Sequence, residues 1–166
     1  MILKIYKWPS EKLREVADSV SDSIEDIQQL VADLFETMYD DQGIGLSATQ
    51  CGIKKRVLVI DTSQVHQEGR KLSMINPVIV EGEGKITSTE GCLSFPKVFA
   101  DISRIEKITV RYLDSEYQEH VETFTGLESV CIQHEMDHLE GKVFVDYLSS
   151  LKRDRLIKKM KKLNNV

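Results

Sequence analysis

The sequence predicts an α+β fold, with mostly antiparallel β-strands arranged around one central helix and further helices towards the N- and C-terminal ends. Three observations carry this expectation. An apolar stripe at helical spacing runs through residues 24–38. From Arg56 to Phe124 the texture changes to short β-rich runs. A further helix, with start and stop signals of its own, then lies between Thr125 and Gly141.

Taken in order, Ser10 can cap a short helix reaching about Ala17. Ile24, Ile27, Leu30, Val31, Leu34, Phe35 and Met38 fall on one helix face, with Ser23 as the N-cap. Val57–Ile60, Met74–Val80, Lys107–Leu113 and His120–Phe124 read as strands. The polar stretch from Thr62 to Gly69 between the first two reads as an exposed hairpin loop. Thr125-Gly126-Leu127-Glu128 has the capping-box pattern, and Gly141 tolerates a left-handed helix stop. Lys142–Val145 reads as a short strand, and a last helix covers about residues 150–163. No linker, repeat or low-complexity segment interrupts the chain, so residues 1–166 are expected to form one domain.

Composition narrows the class. Of 166 residues, 41% are hydrophobic and 30% charged, as in globular proteins with a core of their own. A net charge of −5 argues against general nucleic-acid binding. The 3 cysteines are an odd number, which favours a reducing compartment over a disulfide scaffold. Met1 to Trp8 is too short and interrupted for a signal peptide, and no apolar run approaches a membrane span.

Chemistry concentrates in Gln133-His134-Glu135-Met136-Asp137-His138-Leu139. Residues i and i+4 share a helix face, so His134 and His138 can aim two imidazoles at one metal ion. Glu135, beside them, can reach a metal-bound water as general base. Leu127, Val130 and Cys131 precede the histidines on the same stripe, which puts the site at the wall of an apolar pocket.

Two histidines leave room for a third protein ligand and an open position. Cys51, Cys92, Cys131, His66 and His120 are the candidates. Cys131 suits a packed hydrophobe, His66 an exposed loop and His120 a solvated strand face. Cys92 stands in Glu90-Gly91-Cys92-Leu93-Ser94-Phe95-Pro96, where Gly91 permits close approach and Pro96 interrupts pairing. A third unusual segment is Gly43-Ile44-Gly45-Leu46-Ser47-Ala48-Thr49-Gln50. It lacks the residues of a phosphate-binding loop. It reads either as a plain turn or as backbone that passes close to a substrate, with Gln50 as an uncharged donor.

Together the three segments resemble the peptide deformylases, metallohydrolases that remove the N-formyl group from nascent polypeptides. The family's glycine-rich, Glu-Gly-Cys-Leu-Ser and Gln-His-Glu-x-Asp-His-Leu motifs stand here as Gly43–Gln50, Glu90–Ser94 and Gln133–Leu139. The resemblance covers essentially the whole chain, and implies one catalytic domain of the fold described above. It implies Cys92, His134 and His138 as metal ligands and Glu135 as acid/base. It implies Gln50 and the Leu93 N–H as oxyanion donors, Ile44 and Gly45 as partners of the substrate backbone, and Leu127, Val130 and Cys131 as the methionine pocket. Ser47 departs from the usual Ala, Lys97 from the common Gly, and Pro9-Ser10-Glu11 from Pro-Asp-Pro. Lys97, Phe99 and Asp101 bear on contacts with later substrate residues.

The ligand set suits iron(II), with zinc, nickel or cobalt as alternatives, over magnesium or calcium. Expected partners are N-formylmethionyl nascent peptides. The basic tail, Lys152, Arg153, Arg155, Lys158, Lys159, Lys161 and Lys162 with one acid, Asp154, is either a solvated helix face or a ribosome contact. A monomer in a bacterial-type cytosol, with no membrane partner, completes the expectation. Two other functions compete with this reading, one an enzyme and one not. A peptidase of the His-Glu-x-x-His type usually draws its third ligand from a downstream helix, and no His follows Gly141. A structural zinc module would not need Glu135 and would close its fourth position.

Overall fold

The structure, a computed structural model, describes residues 1–165. Helices α1 (Ile24–Asp40), α2 (Gly126–Leu139) and α3 (Ser150–Leu163) accompany strands β1 (Gly45–Ser47), β2 (Val57–Asp61), β3 (Lys71–Cys92), β4 (Phe95–Leu113) and β5 (Glu119–Thr125). The strands form one antiparallel sheet in chain order, so β1 is an edge. The predicted α+β arrangement holds. Among the described residues, no helix is long and apolar enough to cross a membrane.

Strand β2 explains the placement of the helices. Leu58 and Ile60 face a core shared with Ile132 and Leu139 of α2. Val57 and Val59 face a second core, with Ile27, Val31, Leu34 and Met38 of α1. Successive strand residues point to opposite faces, and here both faces are covered, so the strand reads as a continuous apolar run. Fully burying each such side chain stabilises the fold by about 1.5–3 kcal/mol. Ser23 caps α1 by accepting from the Asp26 N–H at 3.2 Å, as its place in the sequence predicts.

The long β3–β4 hairpin turns over only Leu93 and Ser94, with Cys92 paired to Phe95. Its pairing breaks register between Glu90 and Cys92. At this irregularity, a Cβ on Gly91 would lie 2.7 Å from the Phe99 ring, so the close approach predicted for Gly91 is to that ring. A third core, with Phe95, Val98, Ile102, Phe144, Val145 and Met160, holds the hairpin end against the C-terminal part of the chain.

Four local expectations are corrected. The helix expected from Ser10 to about Ala17 is a 3-10 turn of Glu11–Arg14, although Ser10 does cap it. The strands expected at Met74–Val80 and Lys107–Leu113 are parts of much longer ones. Lys142–Val145 is not a strand: Phe144–Tyr147 form a 3-10 turn, because Val143, Phe144 and Val145 are all drawn into the third core. Thr125 stands at the N-cap of α2, but its side chain makes no capping bond, and Glu128 pairs instead with Arg70 at 3.1 Å. The helix stop is as expected, with Gly141 at φ +72° and a Cβ there only 2.6 Å from the Arg14 carbonyl oxygen.

Candidate metal centre and its pocket

Two elements deliver the three predicted metal-binding side chains. Helix α2 supplies His134 and His138 one turn apart, and the end of β3 supplies Cys92. One donor atom from each lies within 4.8 Å of the others. The Cys92 Sγ is 3.3 Å from His138 Nε2. His134 places its Nδ1 2.9 Å from Glu90 Oε1. A carboxylate there accepts the Nδ1 proton and leaves the Nε2 lone pair free, the arrangement a metal-binding imidazole needs. One soft thiolate and two imidazoles within this distance fit a transition-metal ion or zinc, with bonds of about 2.0–2.3 Å. They do not fit a magnesium or calcium cage. Cys51, Cys131, His66 and His120 stay out of the group. His120 is tied instead to Asp114 at 2.7 Å.

Glu90 is held by Arg104, whose Nε and Nη2 donate to its two oxygens at 2.8 Å each. Burial alone would raise the Glu90 carboxyl, but these donors and His134 outweigh it and bring it down to about 2. Glu90 is therefore an anion behind His134. This Glu90–Arg104 pair escaped the sequence reading, because its partners sit on different strands with no shared motif.

Glu135 follows His134 on the helix and is buried, and its Oε1 has no hydrogen-bond partner among the described residues. Burial lifts its carboxyl to about 7, with Glu90 and Asp137 adding to the effect and His134 and Arg104 opposing it. A cation on the neighbouring ligands would pull it back down. Beside the ligand cluster it is placed to accept a proton from water.

Gln50 lies in a 3-10 turn, Ala48–Cys51, directly after β1. Its Oε1 accepts from the Ser47 N–H at 3.0 Å and from the Ser47 hydroxyl at 3.2 Å. That fixes the amide orientation. Nε2 therefore turns to the Ser94 hydroxyl at 3.1 Å and towards Cys92 Sγ at 3.5 Å. Ser47, a departure from the common family residue, so gains a definite contact.

A cavity of about 760 Å³ opens over this cluster. Ile44, Gly45, Gln50, Cys92, Leu93, Leu127, Val130, Cys131, His134 and Glu135 are among the residues that line it. The predicted site residues thus converge on one place: His138, not itself a lining residue, sits with its Nε2 3.3 Å from the Sγ of Cys92, which is. Lys97 and Phe99 stand on the rim, Phe99 being 65% exposed. Asp101 does not reach the cavity lining and accepts instead from the Thr89 hydroxyl at 2.6 Å.

The chain is similar to proteins described as peptide deformylases. A family model described as Polypeptide deformylase matches residues 2–154. A peptide deformylase from Alkalilimnicola ehrlichii is 49% identical over 164 residues, 98% of this chain and 90% of that one. One from Pseudoalteromonas translucida is 44% identical, over 96% of this chain and 95% of that one. The solved peptide deformylase from Legionella pneumophila superposes with a TM-score of 0.92 at 41% identity, covering 99% of this chain and 96% of that one. The enzyme from Ehrlichia chaffeensis in complex with actinonin gives 0.91 at 39% identity, covering 99% of both chains.

Proposed function

The chain belongs to the polypeptide deformylase family, and from that premise we propose a role for each residue of the cavity in the hydrolysis of N-formyl groups. The enzyme is a hydrolase that removes the formyl group from the N-terminus of nascent polypeptides. Water adds across the amide, releasing formate and a free amine.

Cys92, His134 and His138 hold one divalent metal ion, with iron(II) as the native ion and zinc, nickel or cobalt as substitutes. When bound, the ion supplies a Lewis acid that lets water lose a proton near pH 7. Glu135 accepts that proton and returns it to the departing amine. The observation that carries this role is the buried Glu135 Oε1 beside the ligand cluster, an acceptor with no partner among the described residues.

Charge develops on the formyl oxygen as water adds. Gln50 Nε2 and the Leu93 N–H donate to it, and losing one such donor typically costs on the order of 10²–10³ in turnover. Ile44 and Gly45 pair with the substrate backbone as an added strand, which the position of β1 at the sheet edge permits. Leu127, Val130 and Cys131 receive the methionine side chain. Residues 1–166 act as one catalytic domain. The proposed working unit is a monomer. A ligand that must stay a reduced thiolate suits a bacterial-type cytosol. The exposed lysines of α3 give the enzyme a contact with the ribosome, near its substrates.

The test is hydrolysis of a formyl-methionyl peptide by metal-loaded protein, with metal content measured alongside. Formate release that tracks bound metal and disappears in Glu135→Gln is expected. Cleavage of an internal peptide bond, or tight metal without formate release, would overturn the reading.

A further inference from the structure

Asp137 belongs to the same helical motif as the two histidines, yet the mechanism above gives it no task. Its surroundings do. Asp137 Oδ2 accepts from Arg104 Nη1 at 2.7 Å and from the Tyr147 hydroxyl at 2.7 Å. The Tyr147 ring also covers the guanidinium, 5.0 Å from its centroid. Arg104, 5% exposed, uses its two other nitrogens to grip both oxygens of Glu90. Glu90 in turn meets His134 Nδ1.

These contacts close a ring. It runs from His134 to Glu90 on β3, to Arg104 on β4, to Asp137 on α2, and back along three residues of helix. The ring matters because the ligands come from two elements. His134 and His138 travel with α2, whereas Cys92 lies two residues beyond Glu90 on β3. Whatever ties α2 to β3 and β4 sets the distance between imidazoles and thiolate. Gln133, one helix turn before Asp137, adds a second tie, bridging the N–H and the carbonyl of Ile105 at 3.1 and 2.7 Å.

We infer that Asp137 is a positioning residue for metal binding: it aims Arg104, which fixes Glu90, which fixes the tautomer and ring orientation of His134. This rests on Cys92, His134 and His138 being the ligands. The planar guanidinium suits the task, because its donors engage two carboxylates in one fixed geometry. Loss of such an outer partner typically weakens metal affinity 10–100-fold.

The experiment measures zinc affinity by competition with a chromophoric chelator, together with the His134 imidazole ¹⁵N shifts of the zinc form. Wild type is compared with Asp137→Asn, Arg104→Gln, Arg104→Lys and Asp146→Asn. Asp146 pairs with Arg14 at 2.6 Å in the neighbouring turn, outside the ring. Asp137→Asn and Arg104→Gln should bind zinc about 10–100-fold more weakly and shift the His134 nitrogens. Arg104→Lys should recover part of the affinity. Asp146→Asn should lower thermal stability without changing either readout. Should Arg104→Gln fail to fold, the near-isosteric Asp137→Asn decides alone. Zinc affinity within twofold of wild type and unshifted His134 nitrogens in Asp137→Asn would overturn the inference, whatever happens to its melting temperature. Zinc retained by Cys92→Ala, by contrast, would overturn the ligand assignment and the inference with it.

Discussion

A Cβ on Gly45 would lie 2.5 Å from Oε2 of Glu135, so strand β1 and the buried carboxylate share this space only because residue 45 has no side chain. Gly45 has no left-handed backbone to justify it. Its absent side chain is a matter of room. Gly45→Ala should therefore displace Glu135 while leaving the metal ligands in place. A displacement of about 1 Å at a reacting group can cost on the order of 10²-fold in rate. We expect a loss of that order in kcat with metal content unchanged. A variant with wild-type kcat would show that Glu135 has slack the geometry does not suggest.

Glu135→Gln keeps the shape of the side chain and removes its ability to take a proton. Metal content and fold should persist, and kcat should fall by about 10²–10⁴, the usual contribution of general acid–base catalysis. Formate release and metal analysis on the same sample check this. Loss of the metal in the variant would mean that the carboxylate is a ligand and not a proton carrier.

The sequence showed what rests on local periodicity. The stripe of α1 and the i, i+4 histidines of α2 are such signals, and so is the apolar run of β2. It did not show how far β3 and β4 extend, because residues 81–89 are Glu, Gly, Lys, Ile, Thr and Ser, mostly exposed. Their strand conformation comes from pairing with β4, a non-local cause. For the same reason Glu90 and Arg104 were invisible as partners until the hairpin brought them together. Val143 to Val145 failed in the opposite direction. Their apolar character signals burial, and burial is satisfied by an irregular segment as well as by a strand.

Metal retention should separate the cysteines. Cys92→Ala, His134→Ala and His138→Ala are each expected to lose stoichiometric metal, while Cys51→Ala and Cys131→Ala keep it. The reason is that, among the described residues, only Cys92 stands with the two histidines in one cluster. Burial also pushes the Cys131 thiol up to about 12, so it is a poor thiolate donor at neutral pH. Because a ligand bound only by the folded state stabilises it, melting temperature should rise with added metal in the last two variants and not in the first three. Metal lost from Cys131→Ala but retained by Cys92→Ala would reverse the assignment.

Acid stability has a local contributor away from the metal. Asp61 is buried, which alone would raise its carboxyl. Donors from Ser63, Tyr39 and Gln64 outweigh that and hold it below the ordinary range. A depressed folded pKa means stability that is present above the unfolded value, about 3.9 for Asp. It is lost as pH falls through the folded value. Asp61→Asn should thus be less stable than wild type at pH 7, and the gap should narrow as pH drops below about 4. Denaturant melts of both proteins across that range provide the check. A gap independent of pH would assign the loss to packing and not to charge.

The tail calls for charge reversal more than for truncation. Met160 of α3 is buried and Leu156 packs against the same core, so cutting after about residue 151 would open that core. Lys97 also donates to the Leu163 carbonyl at 3.3 Å, joining the end of α3 to the hairpin that carries Cys92. Lys152, Lys158, Lys159 and Lys162, by contrast, are exposed. Changing these four to Glu should leave hydrolysis of a short formyl peptide within about twofold, since surface substitutions usually alter stability by no more than about 0.5 kcal/mol. Ribosome association should weaken by at least about tenfold at low salt, and the wild-type interaction should itself fall steeply as salt rises. Co-sedimentation at two salt concentrations reads both effects. Equal pelleting of the two proteins would leave the lysines as a solvated helix face with no ribosomal task.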